Sequence, residues 1–534
     1  MHTAGTHNDR HADTSTSREI ARVTWTRGVL TAVAVIAAAW LASAGDWRVV
    51  LAAATVALLA VVRGRELRLL YAMVAPLWGH RIFLQTLLRI SRTGDAMTPI
   101  VQLRLWPLAR TPVLIVNDTA IAREILHAGA AFATMGQDNP ATVALLGDRG
   151  LFTTNTTDSP EWQRRRRVTD RLLSSAPAFT ERMFADLLAT SRTYVADWRG
   201  HQGGLLQALA QLLIPAQSLA LYGEPFTPAV HRQAGADLLA NFQGVGEGLL
   251  SGLTETLRRP WTRERLGRSW AYIQKIADVI VADARQPAPD DARPGMFRLL
   301  SDAYRDGTYD AAEVRDTVAL FLNAGAPLHM VFWTLHSLAH HQDVQARVVD
   351  ELQRALAAGP LTFARLHELS YLRSVLFEVM RLYPPVPLFQ PRRAVHPAQI
   401  GDIAAPAGTQ ILISPFVFQR NPAIGADVEA FRPGRADNGY ASPHMFPFSV
   451  GPRTCQGRNF AMLAVTAALV SILERHEVHL HERGPCPHPS EAVYCRPSHD
   501  VSFSVSPRAP ADRSEPREAA PPARRCPFAA MFKN

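Results

Sequence analysis

Hydrophobic and polar positions change rhythm several times along the chain. Residues 1–27 are polar, include Arg10, Arg18, Arg22 and Arg27, and show no apolar period. Val29–Gly45 is apolar almost throughout, Asp46–Arg48 interrupts it, and Val49–Val62 is apolar again before Arg63, Arg65 and Arg68. The first run is just long enough to cross a bilayer as a helix, and the second is marginal. Together they predict a helical hairpin over 28–63, and arginines on both outer flanks put both ends on the cytoplasmic side. One spanning helix with the second run on the membrane surface fits the same pattern. A leader cut after Ala42–Ala44 is disfavoured by the second apolar run that follows at once.

From 75 to 507 the pattern is mostly helical with short strands. Met97–Trp106 and Pro112–Asp118 alternate and end in turn residues, which predicts a hairpin. A largely helical stretch covers Ser159–Arg285. Another long helix begins near Tyr309, where Asp310 can cap it and Glu313 completes a capping box. It is expected to run over Ala311–His340. Strand patterns return at Gln410–Phe418 and His499–Ser506, and Arg458–Leu473 reads as a helix. The fold class is therefore mainly α with small β-sheets. Residues 508–534, rich in proline, alanine and charge, are expected to be disordered, as is the stretch 1–27.

The chain has 534 residues, a formal net charge of +9 and 47% hydrophobic residues. The excess of arginine invites a nucleic-acid reading, but no motif of that kind is present. Four cysteines, Cys455, Cys486, Cys495 and Cys526, are too few for a disulfide framework and form no paired zinc motif. His336 and His340 have a spacing that suits a metal, but no glutamate sits between them, and a solvated helix end is the expected setting. Alanine- and arginine-rich usage fits a high-GC bacterium.

Phe448–Gly457, FSVGPRTCQG, frames one cysteine with two glycines, an arginine and a phenylalanine just before the helix at Arg458. A thiolate is a soft ligand for iron, and Gly451 and Gly457 let backbone approach a flat partner. The pattern of Phe448, Gly451, Arg453, Cys455 and Gly457 resembles the haem-binding loop of the cytochrome P-450 superfamily. Glu378 and Arg381 share one face of a helix whose other positions are apolar, which predicts a buried pair. Phe431–Arg435 resembles the segment that gives the family a third partner, here Arg435, with Gly434 where an acid is usual. Trp162 and Arg166, four apart on one helix face, match the family's propionate-binding pair. Gln390–Gly401 resembles the strand that adds an arginine, Arg392 or alternatively Arg393. Arg164 and Arg165 read as solvated surface. The matches run in order from Met97 to Val505.

The resemblance implies a cytochrome P-450 fold behind an N-terminal membrane-anchor hairpin, haem b (iron protoporphyrin IX, heme) and Cys455 as its metal ligand. It implies insertion of one oxygen atom from O2 into a lipophilic organic substrate, in a pocket drawn from the segments near Phe242, Ala324–His329, Val386–Phe389 and Tyr494. Electrons would come from NAD(P)H through a separate ferredoxin or flavoprotein reductase; Arg453, also the expected third cation at the propionates, and Arg458 on the proximal face would steer an acidic partner. No nucleic-acid partner is expected. The enzyme would sit at the bacterial plasma membrane with its catalytic domain in the cytoplasm. The distal helix departs from the family. Phe321–Trp333 reads FLNAGAPLHMVFW, and Pro327 and Leu328 stand where an acid and an alcohol deliver protons. A proline there frees the Asn323 carbonyl for water or ligand. Asn323, Gly325, Pro327 and His329 are the candidate distal residues. An isomerase, dehydratase or peroxygenase that needs no reductase is the rival reading, and a haem-binding sensor that catalyses nothing is a more distant one.

Overall fold

The computed structural model describes residues 83–507, except 105–110, 139, 174–176, 197, 199–202, 223–259, 287–294, 426, 436–438, 441, 482–485 and 490–493. The predicted anchor over 28–63, the two terminal stretches and Phe242 lie outside the described residues. The chain divides into two compact units, 1–72 with 103–110, and 73–102 with 111–534. Of the described residues, only Leu103 and Arg104 fall in the first.

In chain order the elements that position the site are β1 (Ile100–Leu103), β2 (Val113–Val116), α1 (Thr119–His127), β3 (Phe132–Thr134), α2 (Pro160–Leu173), α3 (Pro177–Ala196), β4 (Gly203–Gly204), α4 (Leu205–Tyr222), α5 (Pro260–Ala284), α6 (Met296–Arg305), α7 (Ala311–Leu322), α8 (Ala326–His340), α9 (Gln342–Ala357), α10 (Ser370–Leu382), β5 (Arg392–Ala394), β6 (Gln410–Ile413), α11 (Arg458–Leu473), β7 (His476–His481) and β8 (Ser502–Pro507). The main sheet has the order β1-β2-β6-β5-β3. Its β2–β6 pair is parallel, and β5 runs antiparallel to both β6 and β3. A second sheet has the order β7-β8-β4. The strand expected over Gln410–Phe418 stops at Ile413, because Pro415 opens a single helical turn to Phe418.

The core is built round α11, whose side chains from Leu463 to Leu473 are almost all buried. A helix apolar on every side has to lie inside the protein. Ala464, Ala467 and Ala468 keep it slim, and α3 and α8 pack directly on it. Pro327 to Leu338 of α8 are buried without a gap. Among the described residues Leu205–Tyr222 and Ala311–His340 are long and apolar enough to cross a membrane, yet 67% and 72% of those stretches are buried in this core.

Glu378 and Arg381 on α10 are 0% and 2% exposed. Two Arg381 nitrogens donate to the two Glu378 oxygens at 2.9 and 2.8 Å. The rest of its guanidinium donates to the carbonyls of Gln419, Val428 and Ala430. Arg435 Nε adds a second cation at 3.0 Å from Glu378, and the Arg432 N–H donates there too. The acid absent at position 434 is replaced in space by Asp427, which accepts from Arg435 at 3.0 Å. Gly434 itself has φ +85°, a turn that an acidic side chain would strain. Arg420, fully buried, repeats the device with Glu429 at 3.1 Å. These bonds stitch the irregular segment 414–435 to the end of α10, under the cysteine loop that comes next in sequence.

Removing the Glu378 charge leaves Arg381 without an anion in a water-poor site and Arg435 with Asp427 alone. Glu378→Gln is expected to cost roughly 3–5 kcal/mol of stability. Urea unfolding of the two proteins at neutral pH measures this, and a loss below about 1 kcal/mol, the range of an exposed pair, contradicts the buried reading.

Candidate functional site

The cysteine loop is a tight backbone structure. The Cys455 N–H donates to the Phe448 carbonyl at 2.9 Å, and the Thr454 N–H to Gly451 at 3.0 Å. Ser449 and Gly451 have φ of +61° and +76°. A Cβ on Gly451 would collide with the Leu126 carbonyl of α1, so only glycine lets the loop tuck under that helix end. Gly457 has ordinary φ and caps α11, and a Cβ there would stand 3.9 Å from the Cys455 sulfur. Phe448 is partly buried against the main core.

Cys455 is exposed at the surface of the loop, yet desolvation is the largest influence on its pKa and pushes the thiol up. The two observations agree if the sulfur faces an internal space and not bulk water. The Gly457 N–H and the charges of Arg166 and Arg458 act in the opposite direction, favouring thiolate.

Arginines cluster near the loop: Arg166 and Arg458 act on Cys455, and Arg392 and Arg166 act on Arg453. On β5, Arg392 points inward and is 4% exposed, whereas Arg393 turns out to pair with Asp138 at 2.9 Å. The pleat thus selects Arg392 of the two sequence candidates. Arg392 Nε and Arg453 Nε are both buried without a hydrogen-bond partner. Burial holds Arg392 down to about 10, and burial together with the charges of Arg392 and Arg166 holds Arg453 down to about 9. The other Arg453 nitrogens donate to the carbonyls of Leu151 and Thr154. Its guanidinium lies 5.2 Å from the Trp162 ring, and that of Arg166 5.9 Å. Arg166 is already engaged, donating to Asp170 at 3.0 Å and to the Thr454 carbonyl at 2.9 Å. Mutually repelling guanidiniums beside a buried thiol fit a flat, dianionic group that a thiolate holds from one side. Haem, with its propionates, has that chemistry.

Two sequence expectations fail here. Arg453 is half-buried and its guanidinium is spent on the Leu151 and Thr154 carbonyls, so it offers a docking partner little charge. Arg164 and Arg165 are not solvated surface: both pair with Glu313, the capping-box residue of α7, and Arg165 is 9% exposed. The capping box itself forms between Asp310 and Glu313.

The distal helix is broken. Asn323 ends α7, Gly325 begins α8, and Pro327 lies in the first turn of α8, where a missing N–H costs nothing. The freed Asn323 carbonyl does not wait for water or ligand, because the Tyr494 hydroxyl donates to it at 2.8 Å. Tyr494 stacks on His329, ring centroids 5.5 Å apart and 8° from parallel. His329 Nδ1 lies 3.1 Å from the Gly325 carbonyl, which makes it the protonated nitrogen of a neutral ring. Burial pulls His329 down to about 3. The Asn323 amide donates to Ala319 at 2.8 Å, while its Oδ1 is buried with no partner. Tyr494 also lies within electrostatic reach of Cys455, which links the distal break to the cysteine loop. Against α4 the junction leaves a small cleft, lined by Leu213, Ile214, Phe321 and Leu328 with Gln217 and Ser218.

Sequence reasoning had Tyr494 only as a pocket wall. Its partner is 171 residues away, and no local pattern marks such a bond. It also missed Gln456, which donates to Asp170 at 2.8 Å and binds Thr169, clamping α2 to the loop.

Comparison with known proteins gives one consistent result. The sequence model described as Cytochrome P450 matches residues 254–503. Probable cytochrome P450 4d20 of Drosophila melanogaster is 34% identical over 260 residues, which is 47% of this chain and 48% of that protein. Secologanin synthase 1 of Catharanthus roseus is 26% identical over 403 residues, 69% of this chain and 74% of that one. The first match thus spans about half the relative's length. Two solved structures share the fold at 20% identity and a TM-score of 0.63, each over 77% of this chain. One is a zebra fish cytochrome P450 with abiraterone, covered to 96%, and the other the retinoic acid-bound cyanobacterial CYP120A1, covered to 92%.

The neutral His329 gives a pH test. Its unfolded pKa is near 6.5 and its folded value about 3. Between those values the unfolded chain binds a proton that the native protein refuses, so stability falls as pH drops through that window, by at most about 1.4 kcal/mol per pH unit. His329→Phe keeps the ring stack and removes the proton. Urea midpoints from pH 7 to 4.5 are expected to fall less steeply in the variant, and parallel curves would contradict a buried neutral imidazole.

Proposed function

The chain belongs to the cytochrome P450 superfamily, and from that premise we propose that it is a haem-thiolate monooxygenase acting on a lipophilic small molecule. What supports this is a desolvated Cys455 in a tight glycine-framed loop, together with Arg392 and Arg453, whose buried Nε atoms have no partner. Cys455 is the metal ligand, and Arg392 and Arg453 hold the propionates, with Trp162 as the surface under Arg453. Arg166 contributes less, being shared with Asp170 and the Thr454 carbonyl. Haem bound there would supply the binding and reductive cleavage of dioxygen.

The protein's own part is to shape the distal side without an acid–alcohol pair. Tyr494 keeps its proton, since burial raises its pKa, and it pins the Asn323 carbonyl. His329 stays neutral and packs as a wall. Asn323 Oδ1 is the unused acceptor at the break and orients a water or a substrate hydroxyl. Gly325 and Pro327 set the break and carry no proton. A lipophilic substrate suits the buried Leu388 and Phe389 and the apolar residues at the break. One structural neighbour holds retinoic acid, a largely apolar ligand. The run over 28–63 tethers the enzyme to a membrane with its catalytic domain on the cytoplasmic side.

Electrons reach the site from NAD(P)H through a separate reductase. Arg373 and Arg458 are exposed and flank Tyr440, with Arg458 5.2 Å from its ring, and offer positive charge to an acidic partner. Arg458→Glu is expected to slow reduction several-fold at low salt and to flatten its salt dependence. Unchanged rates in stopped-flow reduction by an acidic ferredoxin would remove this surface from the reading.

The missing acid–alcohol pair favours a second reading, a peroxygenase, isomerase or dehydratase that uses the same haem without a reductase. The deciding experiment has two stages. The reduced, carbon monoxide-bound protein is expected to show a strongly red-shifted Soret band, lost in Cys455→Ser. Turnover of a lipophilic panel is then compared with a reductase and with peroxide. Turnover driven by the reductase supports the monooxygenase, turnover with peroxide alone or with neither supports the second reading, and a band at the ordinary histidine-ligated position removes both.

A further inference from the structure

We propose that His336, His340 and Cys486 form a thiol-gated zinc site on the outer end of α8, independent of the haem. Their ligand atoms lie within 4.8 Å of one another. Cys486 Sγ is 3.6 Å from His336 Nε2, and the two imidazole rings are 4.6 Å apart. A zinc ion with Zn–N near 2.0 Å and Zn–S near 2.3 Å sets neighbouring ligand atoms about 3.3–3.7 Å apart. The Cys486–His336 pair already stands at that separation, and His340, the last residue of α8, needs only a small rotation to join. A mixed set of imidazole and thiolate selects zinc over magnesium or calcium.

The expected solvated helix end is not what the structure holds. His336 is 3% exposed, lies edge-on to Trp333 and is stacked on Phe332. Those aromatic rings fix its χ angles and aim Nε2 at the sulfur. His340 and Cys486 are half-buried, which leaves an entry path. Among the described residues no fourth histidine, cysteine or carboxylate completes the set. Water takes the fourth position.

The gate is the sulfur itself. Cys486 is disulfide-bonded, whereas Cys455 and Cys495 are free thiols. The remaining cysteine, Cys526, lies outside the described residues. A disulfide sulfur is a poor zinc ligand, and a thiolate is a strong one. A dithiol reductant delivers two electrons and two protons to the disulfide, giving two thiols and the oxidised dithiol. Zinc then displaces the proton from Cys486. Oxidation reverses the sequence and releases the ion, so metal and disulfide exclude each other. Bound zinc would tie α8 to the segment that carries Tyr494 and so stiffen the distal break from its far end.

The test uses the full-length haem protein. Wild type and His340→Ala are dialysed against buffered zinc with and without a phosphine reductant, and metal per haem is measured by mass spectrometry. Reduced wild type is expected to retain about one zinc per chain, and affinity in reduced His340→Ala to fall by more than about tenfold. Oxidised wild type should retain none. The zinc X-ray absorption edge, which haem iron does not obscure, should show one sulfur near 2.3 Å and two nitrogens near 2.0 Å. The haem spectrum of the variant confirms that it is folded. Equal zinc in reduced wild type and variant, or a shell without sulfur, overturns the site. Equal binding in oxidised and reduced wild type overturns the gate.

Discussion

A guanidinium cannot be taken out of water without a counter-charge or a full set of acceptors, and this constraint organises much of the molecule. Arg381 has Glu378, Arg420 has Glu429, and Arg164 and Arg165 share Glu313. With their further hydrogen bonds these groups join elements far apart in sequence: the end of α10 to the segment before the cysteine loop, and α2 to the start of the distal helix. Arg392 and Arg453 break the rule. Arg392 is buried and Arg453 half-buried, Arg392 is close enough to depress Arg453, and no carboxylate among the described residues answers them. The site is found where the charge ledger of the protein alone does not close.

The distal side obeys a different logic. A continuous helix would have satisfied the Asn323 carbonyl internally. Pro327 makes that impossible, and the fold responds with a side chain instead of a solvent molecule. One phenol therefore fixes the geometry of the break, while its ring shields His329 from water and keeps that imidazole uncharged. Trp333 adds a second tie between α8 and the same late segment, donating to the Cys495 carbonyl and stacking on Tyr383 at 4.2 Å.

Much of the fold was legible because its determinants are local. The helix over Arg458–Leu473, the capping box at Asp310 and Glu313, and the buried i,i+3 pair on α10 each need only neighbouring residues to be seen. The cysteine loop was legible for the same reason, since its glycines and its cysteine fall within ten residues. The rest depends on pairs that only the tertiary fold creates. Asp427 stands in for the acid missing at position 434, Glu313 receives two arginines that resemble a basic surface run, and His336 is buried at what reads as a solvated helix end. The break itself was half visible. Proline announced the freed carbonyl, but nothing in the sequence said who would take it.

The segment that completes the site is also among the last to be made. Among the described strands β4, in the middle of the chain, pairs only with β8, which spans Ser502–Pro507. The partner of Asn323 lies at Tyr494 and the cysteine loop at Phe448–Gly457. A ribosome-bound chain can therefore assemble α3 to α10 while its distal helix is still unpinned and its buried arginines still lack their neighbour Arg453. The site is completed late in synthesis, so premature truncation before the cysteine loop would yield a helical body without it.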